Sequence, residues 1–263
     1  VETGSLIMKT LLLMGSKLSQ ELLQEWRMRF ETFVDLYLTS GYVPRTFAIL
    51  QMFGRVLANI WIFVQVGRIK VNGRQLLKTP AHIIYIANHS SMFDPLIAFA
   101  ILPRVCRYMT AVEEMRGIFG LKALFMGSFG SFAVDRKNGK TVIEPAIKIL
   151  IGKEALVVFP EGKISPSGVM LPPKPGIALI SAAAYNLLRY PEQVALIAMS
   201  INYGKRDEAT AKSSYGEMGF RWRGGVTVNV HPPIYLTREL ADDPDALLTK
   251  AASTIASGLS LRA

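Results

Sequence analysis

The run Asn88-His89-Ser90-Ser91-Met92-Phe93-Asp94 places a histidine five residues before a carboxylate. A histidine held by a carboxylate is kept in one tautomer and its cation is stabilised. It is then a competent general base near neutral pH. Five residues of regular helix rotate a side chain by about 500°, so on a helix the two groups would point apart. They can meet only where the chain turns. The run offers such a corner, because it follows the apolar stretch Ile83–Ala87 and precedes Pro95, a residue favoured in a first helical turn. In α/β sheets, ligands sit beyond the carboxyl ends of strands. A second reading makes Asp94 a helix N-cap and His89 an ordinary loop residue. Both roles can hold together.

Two further runs offer chemistry in the same layer. Phe159-Pro160-Glu161-Gly162 closes the apolar stretch Ala155–Phe159 and sets a carboxylate at a strand end. Taken alone it is equally a plain turn. Gly130-Ser131-Phe132-Ala133-Val134-Asp135-Arg136 ends in an Asp-Arg pair, which offers a guanidinium to an anion such as phosphate. The competing reading is a surface salt bridge between neighbours.

In this order the three runs resemble the glycerolipid acyltransferases typified by the lysophosphatidic acid acyltransferases. That family's pattern is Asn-His-x-x-x-x-Asp, then Gly-x-x-x-(Ile/Val)-Asp-Arg, then Phe-Pro-Glu-Gly, then an apolar strand. Here they stand at 88–94, 130–136, 159–162 and 194–201. Lys174-Pro175-Gly176 is similar to the family's Lys-x-Gly helix start, and Val226–Leu236 to its closing strand. The resemblance spans about residues 67–260. It implies that His89 takes the proton of a lipid hydroxyl, which attacks the thioester of acyl-CoA or acyl-carrier protein, while Asp94 orients His89. It implies substrate contacts from Asp135, Arg136, Glu161, Gly162, Lys163, Ser165 and Lys174, with Arg136 on the acceptor's phosphate and Glu161 and Gly162 shaping the acceptor pocket. It implies no bound cofactor and no metal. The chain departs from the pattern where Lys163-Ile164-Ser165 replaces the usual Thr-Arg-Ser, and where Ala111-Val112-Glu113-Glu114 stands in place of a basic pair. The fourth block lacks its usual prolines, at Ala195 and Ala198. With fewer phosphate-binding cations, the acceptor is a lysophospholipid, a glycolipid or another lipid alcohol.

The elements that must position these residues follow from periodicity. From residue 67, short strands alternate with helices. The expected strands are Arg68–Val71, His82–Ala87, Val105–Thr110, Ser131–Val134, Ala155–Phe159, Val194–Ile201 and Val226–Val230. The expected helices are Pro95–Leu102, Glu113–Met126, Lys140–Ile151, Gly176–Leu188 and Pro244–Ser257. This predicts an α/β domain over 67–263 with a mostly parallel or mixed sheet flanked by helices. Residues 1–66 form a preceding membrane-associating helical segment. Within it, residues 18–38 carry Leu22, Leu23, Trp26, Phe30, Phe33, Val34 and Tyr37 at helical steps. Residues 46–66 approach the length of a membrane span, about 20 residues. Arg55 interrupts that stretch, with Gln51, Asn59 and Gln65 around it. A lone arginine at mid-bilayer costs about 2.5–3.5 kcal/mol on insertion scales. The segment therefore reads as a hairpin lying in one leaflet. Packing of both helices on the domain's own core is the other reading.

Composition bounds the partners. Half of the 263 residues are apolar and the formal net charge is +10. A basic, greasy chain suits anionic lipid or a polyphosphate ligand. Nucleic acid is the weaker reading and is not expected as a partner, since no zinc-finger spacing, aromatic-basic motif or basic tail is present. Cys106 is the only cysteine, so no internal disulfide forms. That fits a reducing compartment, and the expected location is the cytoplasmic face of a membrane. Leu6–Met14 resembles a short signal core but lacks a cleavage site, so it is not expected to be a cleaved signal. Gly139-Lys140-Thr141 lacks the earlier glycine of a phosphate-binding loop, and no Gly-x-Ser-x-Gly occurs. The basic stretch Lys205–Arg223 could grip coenzyme A phosphates or an acidic carrier protein, or be a solvated loop. Rival activities are hydrolysis of a thioester or lipid by the same His-Asp pair, and lipid binding without catalysis.

Overall fold

The computed structural model describes residues 20, 22–79, 82–117, 120–165, 169–188, 193–204 and 224–259. The Leu6–Met14 stretch and the basic stretch Lys205–Arg223 lie outside the described residues. Among the described residues, eight strands form one sheet: β1 (Ile69–Asn72), β2 (His82–Ala87), β3 (Cys106–Ala111), β4 (Ser131–Val134), β5 (Ala155–Val158), β6 (Val194–Tyr203), β7 (Val226–Val230) and β8 (Ile234–Tyr235). Their order is β1-β7-β6-β2-β5-β3-β4. β6, β2, β5, β3 and β4 run parallel, whereas β7 and β8 both pair antiparallel with β6. The sheet is mixed for that reason. β8 was not expected. It continues the line of β7 along β6 after Pro232 and Pro233, which have no N–H to donate to a ladder.

The central strands are buried on both faces, as parallel strands between helical layers must be. Alternate residues serve opposite layers. Tyr85, Val157 and Met199 point into a core completed by α2 (Ala48–Gln65) and α3 (Asp94–Ile101). Ile86, Leu156 and Leu196 point into a second core, beneath α6 (Ile143–Ile151), α7 (Gly176–Leu187) and α9 (Pro244–Ser257). The single helix expected over Glu113–Met126 is two, α4 (Val112–Met115) and α5 (Leu121–Ser128). Gly117 and Gly120 take φ of 113° and 84° between them, a conformation that ends a right-handed helix. A short helix, α8 (Arg238–Asp242), precedes α9 and was not anticipated; Thr237 caps it by accepting from the Leu240 amide.

Residues 22–38 form helix α1, almost wholly exposed. The connector that follows is stitched to the sheet. Gly41 donates to the Ala133 carbonyl at 2.9 Å, and Arg107 Nη1 donates to the Pro44 carbonyl at 2.5 Å. Helix α2 then buries one stripe, Gln51, Gly54, Ala58 and Ile62, at three- and four-residue steps. Among the described residues it is the one helix long and apolar enough to cross a membrane, by length and composition alone. Three of its polar side chains reach the domain. Gln51 Nε2 reaches the Cys106 and Phe129 carbonyls, Arg55 donates to the Arg104 carbonyl and lies over the Phe99 ring, and Asn59 reaches the Ala100 carbonyl. The side facing away carries Ile49, Met52, Phe53, Val56, Leu57, Ile60, Trp61, Phe63 and Val64, all exposed. Packing on the domain's core therefore holds for one stripe of α2 and not for α1, and the rest of α2 is an apolar outer surface.

Candidate active site

The site lies at the carboxyl edge of the parallel strands. Tyr85, Val157, Tyr108 and Ser131 stand level across β2, β5, β3 and β4. Four residues further along their strands come His89, Glu161 and Asp135. The three motifs therefore share one layer. His89 and Glu161 follow neighbouring strands. Asp135 and Arg136 lie three strand spacings from His89, about 14 Å sideways.

The corner between β2 and α3 brings His89 and Asp94 together. Asn88 starts it: its side-chain amide accepts from Ile201 N at 2.7 Å and donates to Ile201 O at 3.0 Å, which extends the β2–β6 ladder by side-chain bonds. The chain then folds over the Asp94 carboxylate. Oδ2 accepts from the Ser90 amide at 2.6 Å, the Ser91 amide at 2.7 Å and His89 Nδ1 at 3.0 Å. Oδ1 accepts from the Tyr203 hydroxyl at 2.6 Å. Asp94 is 0% exposed. A buried carboxylate is costly unless its oxygens are satisfied, and here four donors converge on it. Asp94 does not cap its own helix; its side chain reaches back to the Ser90 and Ser91 amides, and Ser91 Oγ accepts from Phe93 N within the same turn.

His89 is fixed on every side but one. Its N–H donates to Glu161 Oε1 at 2.6 Å, and its carbonyl accepts from Ser165 N at 2.7 Å. Its ring stacks on Phe159, with centroids 4.5 Å apart. Because the Asp94 carboxylate only accepts, Nδ1 carries the hydrogen and Nε2 keeps its lone pair. Nε2 has no hydrogen-bond partner among the described residues, and the side chain stays 16% exposed. The arrangement presents a base to the solvent side.

The other residues expected to bind substrate fall into two groups. Glu161 is buried, and both its oxygens are taken by main-chain amides, His89 N and Leu171 N, the latter at 2.8 Å. Burial pushes its carboxyl above the usual range, and the two amides pull it part of the way back. Ser165 is also buried, with Oγ donating to the Val169 carbonyl at 2.6 Å. Gly162 takes φ +67°, and a Cβ there would lie 2.9 Å from Lys174 Cδ, Cε and Nζ, so the lysine chain lies across the turn. Lys163, Lys174 and Arg136 are exposed. Asp135 Oδ1 accepts from Lys137 N at 2.8 Å, and Arg136 makes no ion pair among the described residues. Cys106 is no rival nucleophile: it is buried and its thiol is pushed up to about 12.

Sequence reasoning missed Asn88, Tyr203 and the Phe159 ring as parts of the site. Phe159 stood inside a motif already singled out. Tyr203 lies 109 residues from Asp94, two residues beyond the expected end of its strand, and no local pattern links the two.

A family model described as Acyltransferase matches residues 68–202. Among solved structures, the crystal structure of the 1-acyl-sn-glycerophosphate (LPA) acyltransferase PlsC from Thermotoga maritima is similar. The TM-score is 0.51 at 20% sequence identity, over 78% of this chain and 77% of that one. At that identity the likeness establishes the fold.

Proposed function

The chain belongs to the acyltransferase family, and from that premise we propose that it moves a fatty acyl group from acyl-CoA or acyl-carrier protein to the hydroxyl of a lysophospholipid. One observation carries the mechanism. His89 Nδ1 is bonded to a fully buried carboxylate, while Nε2 is left open at the strand edge. Nε2 takes the acceptor's O–H proton as the oxygen attacks the thioester carbonyl. The C–S bond breaks, the ester forms, and the proton passes to the departing thiolate. Asp94 stabilises the imidazolium between the two transfers. No cofactor is required beyond the donor itself. Arg136, an exposed cation in the same layer as His89, is the group we assign to the acceptor's phosphate, with Lys163 and Lys174 nearer the base.

We place the enzyme on the cytoplasmic face of a membrane, with α1 and α2 in one leaflet. The support is the sidedness of α2. Gln51, Arg55 and Asn59 bond to the domain, so its outward surface meets lipid without burying a charge. A helix docked lengthwise on the domain carries the active site to the interface where lysolipids reside.

The test is incubation of detergent-solubilised protein with radiolabelled acyl-CoA, with and without a panel of lysolipids. Acceptor-dependent ester supports transfer. Free fatty acid alone means hydrolysis, and no turnover means a binding protein. His89→Ala is expected to abolish transfer with an unchanged melting temperature; wild-type activity in that folded variant sinks the mechanism.

A further inference from the structure

We propose that Tyr203, at the end of β6, is a positioning residue that holds the Asp94 carboxylate correctly turned toward His89. This rests on the His-Asp reading of the site above. The geometry divides the carboxylate between two jobs. Oδ2 faces the catalytic turn and serves His89 Nδ1 and the Ser90 and Ser91 amides; Oδ1 is left to the Tyr203 hydroxyl at 2.6 Å. Both side chains are buried, Asp94 at 0% and Tyr203 at 8% exposure. Without the phenol, Oδ1 loses this donor inside the protein, where unmet charge is expensive.

The placement of the phenol follows from the sheet. Ala87 pairs with Met199 in the β2–β6 ladder, and the Asn88 side chain then grips Ile201 through both its N–H and its carbonyl. The catalytic corner is thereby held in line with β6. Tyr203 comes two residues later, on the same face as Ile201, and its ring joins the core that holds Phe93 and Ile97. The residue at this position reaches the carboxylate only because β6 runs past Ile201.

The consequence has a definite sign. Among the described residues, the titratable groups bonded to the carboxylate are His89 and Tyr203, with Glu161 one step away on the His89 amide. A bond donated to ionised Asp94 favours the form with the carboxylate charged and the imidazole neutral, which is the form the base needs. Removing it strengthens the pair's hold on a proton, whichever partner carries it. The active form then appears only at higher pH.

The experiment compares wild type with Tyr203→Phe and Tyr203→Leu in the full chain. Radiolabelled oleoyl-CoA and lysophosphatidic acid in mixed micelles serve as substrates. For Tyr203→Phe, kcat is expected to fall about ten-fold, with little change in KM for either substrate. The acid limb of the pH–rate profile is expected to move up by about one pH unit. Tyr203→Leu is expected to show the same displacement together with a lower melting temperature. A Tyr203→Phe enzyme with the wild-type rate and an unmoved acid limb overturns the proposal. So does a lowered rate and melting temperature with an unmoved limb, which marks a packing role. His89→Ala and Asp94→Asn run alongside. If they are inactive, a negative Tyr203 result falls on Tyr203 alone; if they retain transfer, the His-Asp reading fails first and takes this one with it.

Discussion

Glu161→Gln separates two roles for the Pro-Glu-Gly turn. The family resemblance puts Glu161 against the acceptor, whereas its observed contacts are two amides of this chain. Both are N–H donors and neither can reverse. Glutamine can accept from only one of them, and its NH2 must then face the other N–H. One buried amide is left without its bond, which costs about 1–3 kcal/mol. For a chain of this size that lowers Tm by about 3–10 °C. If the orphaned amide is that of His89, the catalytic turn shifts. A displacement of the base by about 1 Å costs on the order of a hundred-fold in rate. Steady-state kinetics with the acceptor varied tell the roles apart. A positioning role lowers kcat and leaves KM for the lysolipid nearly unchanged. An acceptor contact raises KM at similar kcat. Differential scanning fluorimetry supplies the Tm. A variant with wild-type Tm and kcat, and only a raised KM, refutes the reasoning.

Three further outcomes follow from other parts of the molecule. Ser200 Oγ donates to the Ile255 carbonyl at 2.5 Å, so it accepts from His231 Nε2–H at 2.7 Å, and burial holds the His231 pKa below its usual value. The neutral form is the stabilising one. Its contribution is present above the unfolded value, about 6.5, and is lost as pH falls through the lower folded value. Wild type should therefore lose more Tm between pH 7 and pH 5 than His231→Gln, as read by fluorimetry across that range. The paired change Phe53→Glu and Trp61→Glu, on the outward side of α2, should leave Tm unchanged and weaken co-sedimentation with anionic lipid vesicles at least about a hundred-fold, since each aromatic contributes about 1.5–3 kcal/mol on burial; undiminished co-sedimentation would remove α2 from the membrane contact. Gly162→Ala must keep φ near +67° and push the Lys174 chain aside, so a loss of about 1–3 kcal/mol is expected in urea unfolding, with reduced transfer.

Much of the fold was legible because its strands are short apolar runs closed by glycine, proline or a charged pair. β2, β4 and β7 lie where the periodicity put them. The misses have local causes. Gly117 and Gly120 broke an otherwise helical pattern into two helices, and the pattern by itself does not show that both adopt positive φ. β6 ran two residues beyond its expected end because Asn202 interrupts the apolar run while Tyr203 still pairs with Val226. The sidedness of α2 was hidden for a different reason. Counting Gln51, Arg55 and Asn59 as polar weighs against a membrane span but does not say which way they point, because a helix has faces. All three reach acceptors on the domain: Cys106, Arg104 and Ala100.

The site shows where motif reading stops. Spacing places carboxylates in a layer but does not say which way they point. Asp94 and Glu161 sit in the two strongest motifs, and in both the oxygens are consumed inside the protein. Neither presents a free oxygen to a ligand. They act on the imidazole from two directions, Asp94 through Nδ1 and Glu161 through the main-chain N–H of the same residue. A base that must approach a thioester and a hydroxyl together needs its orientation held before either arrives, because disorder removed in advance is not part of the barrier. The cations that could sort acceptors, Arg136, Lys163 and Lys174, are by contrast exposed. The groups that orient the base are therefore buried and mutually satisfied, while the cations proposed for the acceptor are solvated. Of the positions where the sequence departs from the family's pattern, Glu113 and Glu114 are likewise exposed, whereas Ile164 adjoins Ser165, whose amide holds the His89 carbonyl.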